Sequence, residues 1–434
     1  MTSRRAFVKA AGAAAAALSL GPAAAAQPRR LRYALVGTGQ RGTSMWGAQV
    51  LARYADRVEF VGLADRNPLR LETARKMLGL SCPTFTSFEK MLDEARPDLV
   101  AVNTIDAYHA DCIEPALGRG VRVVTEKPMV IDEQQCARVL AAEKKAGGGL
   151  VVAMNYRYTP MHTQVKEVLL SGELGRVISV DFDWYLDVDH GADYFRRWHR
   201  LKSQGGSLWV HKASHHFDLV NWWLGADPVE VYARGSLEIY GRKGPFRFTH
   251  CRPCPHKARC DFHTDITKDP RKVQLYVNAE SADGYHRDGC VYREDVDIHD
   301  TMAATVTYSS GVHMSYSLNA FMPFEGHRVA FNCEKGRLEV RHFDTQPWQK
   351  EESVEFHVTP SRGQRREVPS PIPPGGHWGG DPILLDTIFA GAERPPHLRL
   401  PDGRAGAFSC LVGIAAFKSV EERRPVRIEE LVRL

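Results

Sequence analysis

The stretch "LRYALVGTGQRGTSMWGAQVLARY" constrains the fold of this chain more than any other. It reads as a short apolar strand, a glycine turn and an amphipathic helix. Gly37, Gly39 and Gly42 give G-x-G-x-x-G in the turn, with Thr38, Gln40 and Arg41 completing the loop. The first glycine permits the tight turn, the second lets the backbone approach a pyrophosphate, and the third lets helix and strand pack closely. The open N–H groups and positive dipole end of the helix then favour phosphates. Alone the motif is a weak signal. Its context strengthens it, because a second apolar strand, "VEFVGLAD", ends at Asp65, 23 residues after Gly42. A carboxylate there accepts hydrogen bonds from the adenosine ribose hydroxyls and repels a 2′-phosphate. That favours NAD over NADP, although the adjacent Arg66 weakens the discrimination. The bland rival is an ordinary glycine turn with Asp65 on the surface.

Strands and helices keep alternating as far as residue 154, through "PLRLETARKML", "PDLVAVNT", "DCIEPALGRG" and "VRVVTEKPMV". Alternation of this kind means a parallel, doubly wound sheet, a Rossmann domain over residues 31–154. Ligands bind such sheets beyond the carboxyl ends of the strands. Asn103, Thr104 and His109 follow the fourth strand there, and Glu126, Lys127 and Pro128 follow the fifth. The first five are candidate cofactor contacts, and Lys127 stands near both cofactor and substrate. From residue 155 the pattern changes. In "ISVDFDWYLDV", Ile178, Val180, Phe182, Trp184 and Leu186 alternate with polar residues, a period-two strand. Hairpins are expected at Ser310–Gly311 and Lys335–Gly336. This second α/β domain, residues 155–434, is therefore not another nucleotide domain.

The segments "VGTGQRG" and "VRVVTEKPMV", with the helix discussed next, make the chain resemble the Gfo/Idh/MocA oxidoreductases, which include glucose–fructose oxidoreductase and inositol dehydrogenase. The E-K-P tripeptide is the most specific element. The resemblance implies NAD(P) in the first domain and a large open, mostly antiparallel sheet in the second, through which subunits usually associate into a homo-oligomer.

The helix lies in "GGSLWVHKASHHFDLVNWWLG", Gly205 to Gly225. Residues three and four apart share a face. His211, His215, Asp218 and Trp222 line one face, and Lys212, His216, Leu219 and Trp223 the neighbouring one. The resembled family usually carries D-x-x-x-H here, with the histidine three residues before another aspartate. Matching back from Asp218 places that histidine at His215. The usual aspartate is replaced by His211, which cannot serve as an anion. Lys212 or His216 then takes its place, or His211 binds substrate. The residue types suit oxidation of an alcohol. Loss of a hydride from C–H requires loss of the hydroxyl proton, which imidazole can accept. The Lys127 ammonium would stabilise the developing oxyanion. Two rivals stand beside this reading: histidines that merely pack, and a divalent metal held by His211, His215 and Asp218. Tyr158, Tyr194, Trp198, His199 and Arg200 offer sugar-facing aromatic faces and donors. His377 is a further candidate, and Asp381 reads as a helix cap.

Four of the nine cysteines are grouped: Cys251, Cys254 and Cys260 in "CRPCPHKARC", and Cys290, in an insertion over about 245–295. The spacing suits structural zinc; two disulfides, or less readily an iron–sulfur cluster, are the alternatives. Residues 1–27 carry Arg4 and Arg5, an Ala-rich run and an A-x-A-like cut site, the layout of a twin-arginine signal that exports folded proteins to the periplasm. The run is too short and Ala-rich to span a membrane well. Net charge is +5 with no basic run, so nothing points to nucleic acid. Export with a cofactor requires that it be held tightly and reset each cycle. The expectation is an exported NAD-dependent oxidoreductase acting on a sugar or glycoside hydroxyl. The alternatives are an NAD-dependent glycosidase working by transient oxidation and elimination, and a non-catalytic sugar sensor.

Overall fold

A computed structural model describes residues 29–349 and 351–433; the expected export signal lies outside the described residues. Six parallel strands form the first sheet: β1 Leu31–Val36, β2 Val58–Ala64, β3 Thr84–Phe85, β4 Leu99–Val102, β5 Arg122–Thr125 and β6 Leu150–Val152, in the order β3-β2-β1-β4-β5-β6. Helices Pro68–Met77, Phe88–Ala95, His109–Gly118 and Glu133–Ala146 alternate with them. A parallel sheet covered on both faces needs continuously apolar strands, and all four residues of β4 are buried. Polar residues start three of these helices cleanly. Asn67, Ser87 and Asp132 each accept a hydrogen bond from a backbone N–H three residues on. Chain order reverses between β1 and β4, which opens the crevice where such sheets bind ligands. Gly37 sits there at φ +87°, and a Cβ on it would stand 2.3 Å from the Asn103 carbonyl oxygen. A Cβ on Gly42 would stand 2.1 Å from the Gly37 oxygen. The expected single helix after this loop begins as a wider π-helical stretch, Gly42–Gln49, before the α-helix Val50–Tyr54.

The second sheet has nine strands: β7 Val177–Asp187, β8 Pro228–Ser236, β9 Thr301–Tyr308, β10 His313–Met322, β11 Glu325–Cys333, β12 Gly336–Thr345, β13 Ser353–Pro360, β14 Arg366–Glu367 and β15 Val426–Arg427. Their order is β14-β13-β12-β11-β7-β10-β9-β8-β15, antiparallel except between β7 and β10. Both expected hairpins are present, β9–β10 and β11–β12. Val180, Phe182, Trp184 and Leu186 of β7 are buried as their alternation requires, whereas Ile178 at the strand's start is 40% exposed.

The helix Ala213–Leu224 covers the apolar face, stacking His216 on Trp184 and setting Trp223 edge-on to Phe331. The closing helix Gly403–Glu422 packs beside it and against β8, where Ser419 Oγ accepts the Ala233 N–H at 3.0 Å. The histidine-rich helix is not continuous. It runs Leu208–His211, breaks at Lys212, and resumes at Ala213. Lys212 at the break keeps helical dihedrals, φ −89° and ψ −49°. Between β8 and β9 the insertion is built from short helical pieces, the longest being Pro270–Leu275.

Candidate active site

A cavity of about 460 Å³ is lined by Lys127, Tyr156, His190, Tyr194, Lys212, His215, Glu325, Asp344, Glu352, Gly375, His377 and Trp378. Lys127 reaches it because β5 ends two residues earlier, at Thr125. His215 reaches it from the first turn of the resumed helix. A larger open basin around Arg29, Asp98 and Arg119 lies at the amino ends of β1, β4 and β5, the end of such a sheet that ligands do not use.

The Lys127 ammonium donates to the His211 carbonyl at 2.8 Å. Burial pulls its pKa down to about 8; Asp106 opposes the shift and Lys212 adds to it. The His215 ring lies flat on Tyr156, centroids 3.9 Å apart and planes 4° apart, and its Nδ1 is buried with no partner. Burial, and then the nearby Lys127 charge, hold this imidazole well below its usual range. It is therefore neutral at neutral pH and able to accept a proton. Lys212 donates to the Tyr156 hydroxyl at 3.3 Å and lies 4.7 Å from the Trp184 ring centre.

A carboxylate does hold a histidine here, but not the one expected. Asp106 Oδ2 lies 2.5 Å from His211 Nδ1. Burial pushes the Asp106 carboxyl up and the His211 imidazole down. Asp218, on the expected catalytic face, is instead held bidentately by Arg157 at 2.7 and 2.6 Å, both side chains buried. The far wall carries three acids. Burial raises Glu325, but the His190 hydrogen bond and nearby charges outweigh it, so its pKa is lowered. Burial raises Asp344, and Glu352 and Glu325 raise it further. Two carboxyls pushed in opposite directions are a usual arrangement for separate proton donor and acceptor roles.

His377 and Trp378 both adopt left-handed backbone, at φ +50° and +52°, between two glycine pairs. Such strain costs about 1–3 kcal/mol per residue and concentrates at functional sites. Asp381 is more than a cap. It accepts from Arg41 at 2.7 and 3.0 Å and from Asn155 at 2.6 Å, and its Oδ2 lies 3.0 Å from His377 Nδ1. Arg41 also donates to Glu126, which accepts the Trp46 indole N–H, each at or near 2.8 Å. The glycine loop is thereby tied to the cavity wall.

That loop has the features a dinucleotide needs. Gly37 and Gly42 leave no room for a side chain. Both polar atoms of the Asn103 amide are buried beside the loop without partners. Asp65 Oδ2 accepts from Thr38 N at 2.7 Å and Thr38 Oγ1 at 2.9 Å, bracing the loop from the next strand. Arg66 stacks over Tyr108 at 4.7 Å.

Two family models match the chain: the oxidoreductase family's NAD-binding Rossmann fold over residues 31–154, and its C-terminal alpha/beta domain over residues 166–428. The chain belongs to the Gfo/Idh/MocA oxidoreductase family. Within it, YteT of Bacillus subtilis, a protein named as an oxidoreductase, is 37% identical over 424 residues, covering 92% of this chain and 98% of YteT. Inositol 2-dehydrogenase of Rhizobium meliloti is 26% identical over 209 residues, and the match spans 48% of this chain and 59% of that enzyme. Among solved structures, the fold is shared with the WlbA dehydrogenase of Bordetella pertussis, in complex with NADH and UDP-GlcNAcA, at a TM-score of 0.65 and 18% identity over 94% of this chain and 99% of that one. It is shared also with the aldose-aldose oxidoreductase of Caulobacter crescentus at a TM-score of 0.62 and 20% identity, over 92% of this chain and 100% of that one.

Of the residues singled out in sequence, this family member brings Lys127, His215, Lys212, Tyr194 and His377 into one cavity. His216 is not there: it is fully buried behind Trp184, its Nδ1 2.8 Å from the Tyr316 hydroxyl. Tyr158 also points away, its hydroxyl 3.4 Å from the Arg399 carbonyl, and Tyr156 takes the place expected for it. Trp198 and His199 stack on each other behind His211 rather than lining the cavity, and Arg200 pairs with Asp295 at 2.6 Å. His109 Nδ1 lies 2.7 Å from the Pro128 carbonyl oxygen and its Nε2 3.3 Å from that of Thr104; burial keeps the ring neutral, so it donates to one of them only. Arg41 and Glu126 are used by each other. Tyr156, His190, Glu325, Asp344, Glu352 and Trp378 escaped the sequence reading.

The zinc expectation is not supported. The four cysteines of the insertion line one small cavity, but all nine cysteines are free thiols, so the disulfide alternative is absent too. Among the described residues no group of three or more His, Cys, Asp or Glu is arranged to hold a metal ion. The histidine metal face fails for a plainer reason: Asp218 is bound to Arg157 and His211 to Asp106.

Proposed function

We propose that this protein is an NAD-dependent oxidoreductase that oxidises a hydroxyl of a sugar or glycoside and holds its cofactor tightly through repeated turnovers, a second keto-sugar taking the hydride back from the reduced cofactor in each cycle. The single observation carrying the proposal is that Lys127 and His215 line the same cavity, beyond the carboxyl ends of the nucleotide-domain strands. A substrate hydroxyl placed between them donates to the neutral His215 ring and accepts from the Lys127 ammonium. As its proton passes to His215, Lys127 offsets the charge left on oxygen. The bound nicotinamide supplies the hydride acceptor. Asn103, the glycine backbone and the Asp65-braced Thr38 would hold the dinucleotide. Tyr156 and Trp378 offer apolar ring faces, and Lys212, Glu325, Glu352 and His377 offer directional partners, a lining that suits a polyol. The relatives named for inositol and aldoses agree with this substrate class. The paired-arginine leader supports export, which is why a retained cofactor belongs to the proposal.

The raised Asp344 carboxyl favours one second reading. It could protonate a leaving glycosidic oxygen after transient oxidation, giving net hydrolysis. Incubation with a panel of free sugars and glycosides, followed by product analysis, separates the two. A keto-sugar identifies the oxidoreductase, and released aglycone with unoxidised sugar identifies the glycosidase. If neither product forms while sugars still bind, and Lys127→Ala and His215→Ala change nothing, the protein is a sensor and the catalytic proposal fails.

A further inference from the structure

The insertion reaches back to the nucleotide domain and touches the one place there that a cofactor must touch. Tyr276, just after the helix Pro270–Leu275, sets its hydroxyl 2.8 Å from the Gln40 backbone N–H, which donates to it. The same oxygen stands 3.3 Å from where a Cβ on Gly39 would lie. Gln40 belongs to the turn whose amides face a pyrophosphate in folds of this kind. A phenol that accepts from one amide still carries its own proton as a donor. That proton is free for a phosphate oxygen.

The contact is held from several sides. Asn67 donates to the Ala279 carbonyl at 2.9 Å, and Arg70 donates to the Leu275 carbonyl at 3.3 Å and to Asp283 at 2.9 Å. The Arg70 and Arg287 guanidinium groups lie over the Tyr276 ring, 5.5 and 5.8 Å from its centre. Arg287 is itself anchored to Asp193 at 2.5 Å, one residue before the cavity residue Tyr194. The insertion therefore bridges the cavity's edge and the adenosine end of the glycine loop.

We propose that Tyr276 is a dinucleotide-binding residue supplied by the insertion, and that the insertion straps the cofactor into the first domain. The proposal rests on the reading that a nicotinamide dinucleotide binds the glycine loop. Tyr276 donates to the pyrophosphate, while the clasp of Arg70 on Asp283 keeps the strap closed, so release of the nucleotide requires the strap to open.

The test is the dissociation rate of NADH from the purified full-length protein, followed by the loss of bound-nucleotide fluorescence on dilution into excess NAD. Tyr276→Phe should release NADH about tenfold faster, equivalent to about 1.4 kcal/mol, with an unchanged melting temperature of the nucleotide-free protein. Asp283→Asn, which removes the charge of the clasp and leaves the loop residues unaltered, should also speed release. Unchanged release in both variants overturns the proposal. So does tighter binding by Tyr276→Phe, which would make the phenol a plug competing with phosphate. If the wild-type protein binds no dinucleotide at all, the underlying cofactor reading fails instead.

Discussion

The pH dependence of kcat/KM follows from two perturbed groups facing one cavity. Unperturbed histidine and lysine would give activity that rises through about 6.5 and falls only above about 10.4. Here burial holds His215 well below its usual range and Lys127 at about 8. His215 is thus already neutral on the acid side, where an ordinary imidazole would be charged. Lys127 is roughly 90% protonated at pH 7 and roughly 10% at pH 9 by simple titration. Activity should therefore hold level from mildly acidic pH to about 7 and fall about tenfold by pH 9. Because kcat/KM reports the free enzyme, the limb belongs to these groups before substrate binds. Lys127→Arg, charged throughout the range, should lose the alkaline limb even if its bulk lowers activity. Lys127→Met should lower kcat/KM by about 10²–10³-fold, the usual loss for one oxyanion donor.

The same shift has a stability consequence of opposite sign. A drop from 10.5 to about 8 means that charging Lys127 in the folded protein costs about 3 kcal/mol. The cost is present in full below pH 8, where folded and unfolded chains are both protonated. It is relieved between pH 8 and 10.5, where only the unfolded chain binds the proton, so this group makes stability rise with pH there. Lys127→Met should accordingly be more stable than wild type at pH 7 in urea denaturation while nearly inactive. A rate profile still rising through pH 9, or a destabilised Lys127→Met, would refute the reasoning.

Arg157→Ala strands the buried Asp218 carboxylate and should cost about 3–5 kcal/mol in chemical denaturation, whereas the cavity groups lose activity without that cost. Gly42→Ala places a Cβ 2.1 Å from the Gly37 oxygen and should abolish NAD binding by calorimetry. Asn103→Ala should weaken NAD binding about tenfold, yet leave the nucleotide-free protein no less stable, because the buried amide has no protein partner to lose.

Local chemistry was legible in the sequence, and distant partnership was not. The glycine spacing located the β1 turn and its Asp65 partner, and alternation located β7. The hairpin turns were equally plain, since each is closed by residues adjacent in sequence. The helix pattern placed His211 beside His215 but did not show that His211 pairs with a carboxylate outside the cavity lining. Its carboxylate partner, Asp106, lies 105 residues earlier. Its one visible hint was its position four residues past the end of β4. Tyr156 and Tyr158 share a single 3₁₀ turn, which has no two-residue or 3.6-residue periodicity to say which ring faces the cavity. Glu325, Asp344 and Glu352 arrive from the second sheet, and only the pairing of β7, β11 and β12 brings Glu325 and Asp344 opposite His215. Asp381 looked like a cap because its strongest partner, Arg41, belongs to the other domain. The cysteine spacing invited zinc, and the four cysteines do line one small cavity, yet among the described residues no group is arranged to hold a metal ion.

The central claim is that His215 and Lys127 activate a carbohydrate hydroxyl whose carbon gives its hydride to the bound nicotinamide. Mass analysis of the dinucleotide released after one turnover with a carbon-deuterated substrate sugar measures this directly. The account predicts one deuterium on the reduced dinucleotide from wild type and none from His215→Ala. Product formed without deuterium ever reaching the dinucleotide would contradict it.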